Sequence, residues 1–242
     1  MAVKSRTFWL PRRGSSTDEY EDARALDDAS RRYALADGAT EGCFTGLWAR
    51  LLVEDFVSHP ELAASKWSSS LSAIQRRWND DVRARKLDWD ADYWIEQGAF
   101  AAFLGIALAQ DGCCWQAVAV GDTCLFHTRD NALLRAFPLD RSDKFGNRPQ
   151  LVGSRMPVAA IDKRQRIWSD GCGRSGDRLW AMTDALAKWC LAEYEASRAP
   201  WRQLESLVSS PKEGDVFSSW IESLRDAGGL LNDDVTLLAI RL

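Results

Sequence analysis

The chain is 242 residues long, 46% apolar and 27% charged, with a formal net charge of −4. That length supports one domain with an ample core, or at most two small ones, and the composition is that of an ordinary globular protein. The acidic balance argues against a nucleic-acid partner, because grip on a phosphate backbone draws on a cationic surface, and the basic clusters at Arg31-Arg32, Arg76-Arg77 and Arg83–Lys86 sit among acids as solvated faces.

Met1–Leu10 lacks the apolar core of a signal peptide, and the longest apolar stretch, around Gly98–Ala109, is too short to span a bilayer. A cytoplasmic protein with no membrane partner is therefore expected. The six cysteines (Cys43, Cys113, Cys114, Cys124, Cys172, Cys190) form no C-x-x-C pair and read as reduced thiols filling core space. Two histidines, His59 and His127, are too few and too far apart for a zinc site.

In chain order, Tyr33–Ala36 ("YALA") predicts a short buried strand ending on Asp37-Gly38. Phe44–Val57 carries apolar residues at helical spacing and stops near His59-Pro60, and Glu61–Arg85 predicts a long amphipathic helix. Trp67, Trp78, Trp89 and Trp94 in and beyond it read as packing residues. Gly98–Ala109 predicts a core strand, and "GCCWQAVAVGDTCLFHTR" predicts two strands meeting at Gly121-Asp122. From 138 to 177 glycine, proline and charge are frequent, which predicts a long, partly irregular excursion. "DRLWAMTDALAKWCLAEYEAS" predicts a strand turning into a helix at Thr183-Asp184. A further helix is expected over Asp215–Ala227, stopped by Gly228-Gly229, and a closing strand over "DDVTLLAIRL". The order implies layers, with mainly antiparallel sheets inside and helices outside.

One pattern recurs. Asp37 ends "YALA", Asp122 ends "AVAVG", Asp184 ends "LWAMT", and Asp233-Asp234 starts "VTLLAI"; Asp18-Glu19 and Glu21-Asp22 lie upstream. A carboxylate at the lip of a core strand pays a desolvation penalty unless positive charge compensates it. Any one of these acids reads equally as a turn residue. Four at comparable positions point to a shared cation, and oxygen donors without His or Cys point to a hard ion such as Mg²⁺ or Mn²⁺. Gly38 fits, since a missing side chain lets its carbonyl approach an ion beside Asp37.

The motifs "EYEDA", "ALADGAT", "AVAVGDT", "AMTDALA" and "NDDVTLLAI", in this order, resemble the metal-dependent (type 2C, PPM) serine/threonine protein phosphatases over nearly the whole chain, with details closest to compact, divergent bacterial members. The resemblance implies an α+β fold, a four-layer α-β-β-α sandwich formed by a single domain over 1–242, with a flap-like excursion at about 138–177. It implies two Mn²⁺ or Mg²⁺ ions at one edge, a third being weak or absent. Asp37 would bridge the ions, Glu21 and the Gly38 carbonyl would complete one site, and Asp184 and Asp233 the other. Asp22 would hold metal-bound waters and Asp122 would serve the third ion, with Asp37 and Asp184 central to catalysis. The implied activity is hydrolysis of phosphoserine or phosphothreonine in a protein substrate by a water held between the ions. The implied setting is signalling alongside a Ser/Thr kinase.

Three positions depart from the family pattern. Ala39 stands where a histidine or methionine is usual, Thr17 where an arginine often holds phosphate, and Lys188 where an acid often serves the third ion. Arg12 or Arg13, with Lys188, are the candidate substitutes for the phosphate-binding arginine. A catalytically weak pseudophosphatase acting as a binding module, and a hydrolase of small phosphoesters on the same fold, are the alternative readings.

Overall fold

A computed structural model describes residues 4–39, 42–85, 91–146, 148–209 and 213–242, with the backbone alone at Ala91, Asp92, Trp94, Ser169, Glu213 and Gly214. Its strands form two antiparallel sheets. One has the order β1 (Lys4–Leu10), β11 (Val235–Arg241), β10 (Arg178–Met182), β6 (Cys124–Arg129), β7 (Ala132–Phe137). The other has the order β2 (Ala23–Asp27), β3 (Arg32–Gly38), β4 (Phe100–Leu108), β5 (Cys114–Val120), β9 (Arg166–Cys172), with the two-residue β8 (Val152–Gly153) also on β4.

The period-two pattern of the strands sorts their side chains into separate cores. Tyr33, Leu35, Leu104, Ile106, Ala117 and Ala119 of one sheet meet Leu125, Leu179, Ala181, Leu238 and Ile240 of the other in a shared apolar layer. The alternate residues face outward. Ala34, Ala36, Phe103 and Val118 pack against α1 (Thr45–Ser58) and α2 (Leu71–Arg83). Phe126, Trp180, Leu237 and Ala239 pack against α5 (Asp184–Glu195), α6 (Pro200–Val208) and α7 (Glu213–Asp226). The result is the expected α-β-β-α sandwich. The short α3 (Ala91–Gln97) and α4 (Val158–Asp162) complete the helices.

Several expectations need correction. Glu61–Arg85 is not one helix: a 3₁₀ segment over Ala64–Ser70 precedes α2. There the Ser69 and Ser70 hydroxyls donate back to the carbonyls of Lys66 and Trp67 at 2.8 and 2.9 Å, a local bond that competes with regular α-helix. The tighter turn seats Trp67 on Phe103, with ring centroids 4.3 Å apart. Trp78 is fully buried as expected, whereas Trp89 and the Trp94 side chain lie outside the described residues. The 138–177 excursion is more ordered than its composition implies, since it contributes β8, α4 and the seven-residue edge strand β9. Of the cysteines only Cys124 and Cys190 are buried; Cys43, Cys113 and Cys114 are half-buried and Cys172 is exposed.

The strands meeting at Gly121-Asp122 do not form a hairpin, because β5 and β6 lie in opposite sheets. The chain crosses between them at Gly121, whose φ of +101° suits glycine and where a Cβ would sit 2.6 Å from that of Ala102.

Candidate functional site

Register places the strand-end acids on one edge. Gly38 at the end of β3 pairs with Ala101 at the start of β4, Ala36 with Ala23 at the start of β2, and Phe103 with Val120 at the end of β5. In the other sheet Met182, ending β10, pairs with Leu237 near the start of β11 and with Cys124 at the start of β6. Asp22, Asp37, Asp122, Asp184 and Asp233 therefore share one rim. Asp37 follows Tyr33 and Leu35 in the alternation, so it continues the apolar layer between the sheets. At its neighbour Gly38 a Cβ would lie 2.7 Å from the Glu21 carbonyl oxygen and 3.2 Å from Thr45. Glycine here serves close approach, bringing the Glu21 segment and the start of α1 against the end of β3.

The carboxylates feel one another. Burial, then Asp22, Asp184, Asp122 and Asp233 in turn, push the Asp37 carboxyl well above its ordinary value. Burial pushes Asp122 to about 7, with Asp184 and Asp233 adding to it, and pushes Asp184 to about 6, with Asp233 adding and Lys188 opposing. Asp22 is raised by burial and by Asp234 and Asp184, against hydrogen bonds from Thr236 and Thr183. Asp233, at the outer rim, is raised as well, first by desolvation.

A second set of residues holds these acids, and sequence reasoning missed most of it. Asp234, 4% exposed, accepts the Arg12 and Glu21 backbone N–H groups on its two oxygens at 2.7 Å each, fastening the N-terminal segment to the start of β11. The Thr236 hydroxyl donates to Asp22 at 2.7 Å and also meets the Tyr20 hydroxyl, while the Thr236 N–H donates to Thr183 Oγ1 at 3.0 Å. The signal was the threonine in "AMTD", directly before Asp184, and the one in "DDVT", three residues after Asp233. The Thr45 hydroxyl donates to Glu21 Oε1 and Arg12 Nη1 lies 3.4 Å from Glu21 Oε2.

The two candidate arginines separate. The Arg13 fork is taken by Glu222 and Asp226 of α7, with Nε to Glu222 at 2.8 Å and Nη2 to Asp226 at 2.7 Å. Arg12, unlike Arg13, lies beside Glu21. Lys188 is half-buried one turn into α5 from Asp184 and close enough to oppose the rise of its carboxyl. His127 is buried at the far end of the sandwich, its Nε2 2.8 Å from Asp177 Oδ2, and takes no place here.

The chemistry of this donor set suits a hard divalent ion. The donors are oxygens, their mutual repulsion disfavours the charged state, and the buried Asp22 Oδ1 has no hydrogen-bond partner. Among the described residues no three His, Cys, Asp or Glu side chains stand as ligands around one point. Two of the acids turn onto local amides instead: Asp184 Oδ1 accepts Ala185 N–H at 2.5 Å and Asp233 Oδ1 accepts Asp234 N–H at 2.9 Å. Two hollows flank the rim. One of about 1000 Å³ runs past Arg12, Thr17, Glu21, Asp22, Thr45 and Arg50. One of about 240 Å³ joins Asp122 to Pro138, Lys144, Arg148 and Gln150 of the excursion and to Arg164 and Arg166.

No family model matches the chain, and no curated protein matches it in sequence. Solved structures do match in fold. The catalytic domain of the serine/threonine protein phosphatase PstP, in complex with two manganese ions, superposes with a TM-score of 0.64 at 16% identity over 99% of this chain and 97% of that one. The PPM Ser/Thr phosphatase MsPP of Mycobacterium smegmatis gives 0.61 at 15% over 99% and 98%, and a bacterial serine phosphatase gives 0.65 at 11% over 99% and 97%. The chain thus has the fold of the PPM Ser/Thr phosphatases, as its motifs imply. No helix among the described residues is long and apolar enough to cross a membrane.

Proposed function

We propose that the chain is a Mn²⁺- or Mg²⁺-dependent phosphatase that removes phosphate from phosphoserine or phosphothreonine of a protein. The observation that supports this most is Asp37, a carboxylate continuing the inter-sheet core whose charge is opposed by four others brought from separate elements to the same rim. Bound there, the ions would lower the pKa of water and neutralise phosphoryl oxygens.

The residues take the following parts. Asp37 would serve both ions; Glu21 and the Gly38 carbonyl would complete one site, and Asp184 and Asp233 would complete the other in place of their local amide bonds. Asp22, steadied by Thr236 and Thr183, orients water, and Asp122 serves a weaker third position. Arg12 and Lys188 are the cations that meet substrate phosphate, Arg13 being committed to α7. Ala39 offers no proton, so the leaving alkoxide takes one from water. The substrate is the product of a Ser/Thr kinase, and the excursion beside Asp122 contacts the protein around the phosphorylated residue.

The test is hydrolysis of a phosphothreonine peptide and of p-nitrophenyl phosphate by chelator-stripped protein with and without millimolar Mn²⁺. Turnover of both only with the ion is expected. Turnover that survives exhaustive chelation contradicts the proposal, and so does the absence of any turnover with Mn²⁺ bound, which would leave a binding module. Turnover of the aryl phosphate but of no phosphopeptide would favour a small-phosphoester hydrolase.

A further inference from the structure

At the end of the six-stranded sheet away from the acids, β5 and β9 place Cys114 and Cys172 directly opposite each other, with sulfurs 2.8 Å apart. The Gly173 N–H donates to the Cys113 carbonyl at 2.8 Å, so the ladder bond falls on the pair next to them. Cys114 and Cys172 are therefore a non-hydrogen-bonded pair, the position where facing side chains in an antiparallel ladder come closest. Its usual Cα separation of roughly 4.5 Å lies within the roughly 4.4–6.8 Å range that a disulfide spans. The adjacent thiol, Cys113, faces Gly173, which has no side chain. Asp111 Oδ1 accepts the N–H groups of both Cys113 and Cys114, at 2.8 and 3.0 Å, and holds the entry to β5 in place. Cys172 is exposed on an edge strand, so a small reagent reaches it directly.

We propose that Cys114 and Cys172 form a reversible dithiol–disulfide modification site, closed by exchange with a low-molecular-weight disulfide. The Cys172 thiolate attacks one sulfur of that disulfide, forming a mixed disulfide and expelling one thiolate. Cys114 then loses its proton to water and attacks Cys172 Sγ, expelling the second thiolate. Two protein thiols are oxidised and one disulfide is reduced to two thiols. The order follows from access and from the Cys114 thiol being pushed up to about 12, first by its contact with Cys172 and then by desolvation, a contact that ends once Cys172 is capped. The bond would staple β9 to β5 and close the loop that contains the 138–165 segment. β5 carries the chain from Cys114 to Val120, roughly 20 Å of strand, before it crosses at Gly121 toward Asp122, so the bond acts on the sheet edge at the end away from the acidic rim.

The test uses the full chain equilibrated with mixtures of oxidised and reduced glutathione, acid-quenched, denatured, alkylated with N-ethylmaleimide and weighed intact. Under oxidising mixtures two of the six cysteines should escape alkylation. Peptide mapping should give a Cys114–Cys172 cross-link that dithiothreitol removes. Cys113→Ser should keep the cross-link, and Cys114→Ser should stop at a glutathione adduct on Cys172. Full alkylation under every mixture, or a cross-link that runs through Cys113 and survives Cys114→Ser, would overturn the proposal.

Discussion

Asp234, next to the candidate ligand Asp233, is spent on the backbone of the N-terminal segment. Its two oxygens hold two backbone N–H groups, one from Arg12 and one from Glu21, in a site 4% exposed. Asp234→Ala orphans both donors, at about 1–3 kcal/mol each. It should lower the urea midpoint and, by releasing Glu21, weaken Mn²⁺ binding; an unchanged midpoint would show that the N-terminal segment is held by other means. The arginines make a paired prediction. Arg12→Ala should raise KM for a phosphopeptide roughly tenfold with little change in kcat, as expected for a lost charge-assisted contact of about 1.4 kcal/mol. Arg13→Ala, which loses only its pairs on α7, should leave KM near wild type. The reverse pattern in steady-state kinetics would return the phosphate to Arg13.

At the scale of elements, the end of the sandwich away from the acids is organised around Asp177. This carboxylate is 1% exposed and accepts from Arg129 Nε and Nη2 at 2.8 Å each, from His127 Nε2 at 2.8 Å and from Arg174 N–H at 2.9 Å. Its backbone carbonyl takes the Leu242 N–H at 3.0 Å, so one residue joins β6, the turn before β10 and the end of β11. These donors outweigh burial and hold the Asp177 carboxyl below the ordinary carboxylate range. A depressed folded value means that its contribution is complete above the unfolded value near 3.8 and is lost as pH falls below it. Asp177→Asn should therefore cost about 3 kcal/mol at pH 7 by urea denaturation, with a smaller deficit at pH 3, while kcat stays unchanged. An equal deficit at both pH values would mean that packing rather than charge is at stake.

The elements also show which parts of the fold the sequence reveals. Strongly alternating or fully apolar strands such as Arg32–Gly38 and Val235–Arg241 were legible because both faces are buried between layers. β1 and β7 were not, because each is a sheet edge with much of its surface open, so its pattern carries polar residues. β2, also an edge strand, escaped for the same reason. α6 has its stripe of Trp201, Leu204, Leu207 and Val208 after Pro200 and could have been read from period alone. The acids at strand ends were legible as a pattern, but their common rim depends on the pairing register, and the Thr183–Thr236–Asp22 bonds depend on both sheets being assembled. The separation of Arg12 from Arg13 was decided by the position of α7, more than two hundred residues away in sequence.

Taken as a whole, the molecule concentrates repelling carboxylates at one edge of an apolar sandwich, and this gives its stability a pH dependence. Asp122 and Asp184 have folded values raised to about 7 and about 6 from ordinary values near 3.8. Raised carboxyls favour the fold while protonated, so the ion-free protein loses their contribution progressively as pH rises from about 4 to about 7. Divalent ions take the deprotonated form, so Mn²⁺ should raise the heat-denaturation midpoint far more at pH 8 than at pH 5. Equal shifts at both pH values would place the ion away from these acids.

The most direct measurement is an isothermal titration of Mn²⁺ into chelator-stripped protein at pH 8, run on the wild-type chain and on Asp37→Asn. Two ions per wild-type chain are expected, with binding weakened at least tenfold at both sites in Asp37→Asn, because this single carboxylate is assigned to both. Saturable binding that is identical in the two proteins, or no binding in the wild type, would contradict the account.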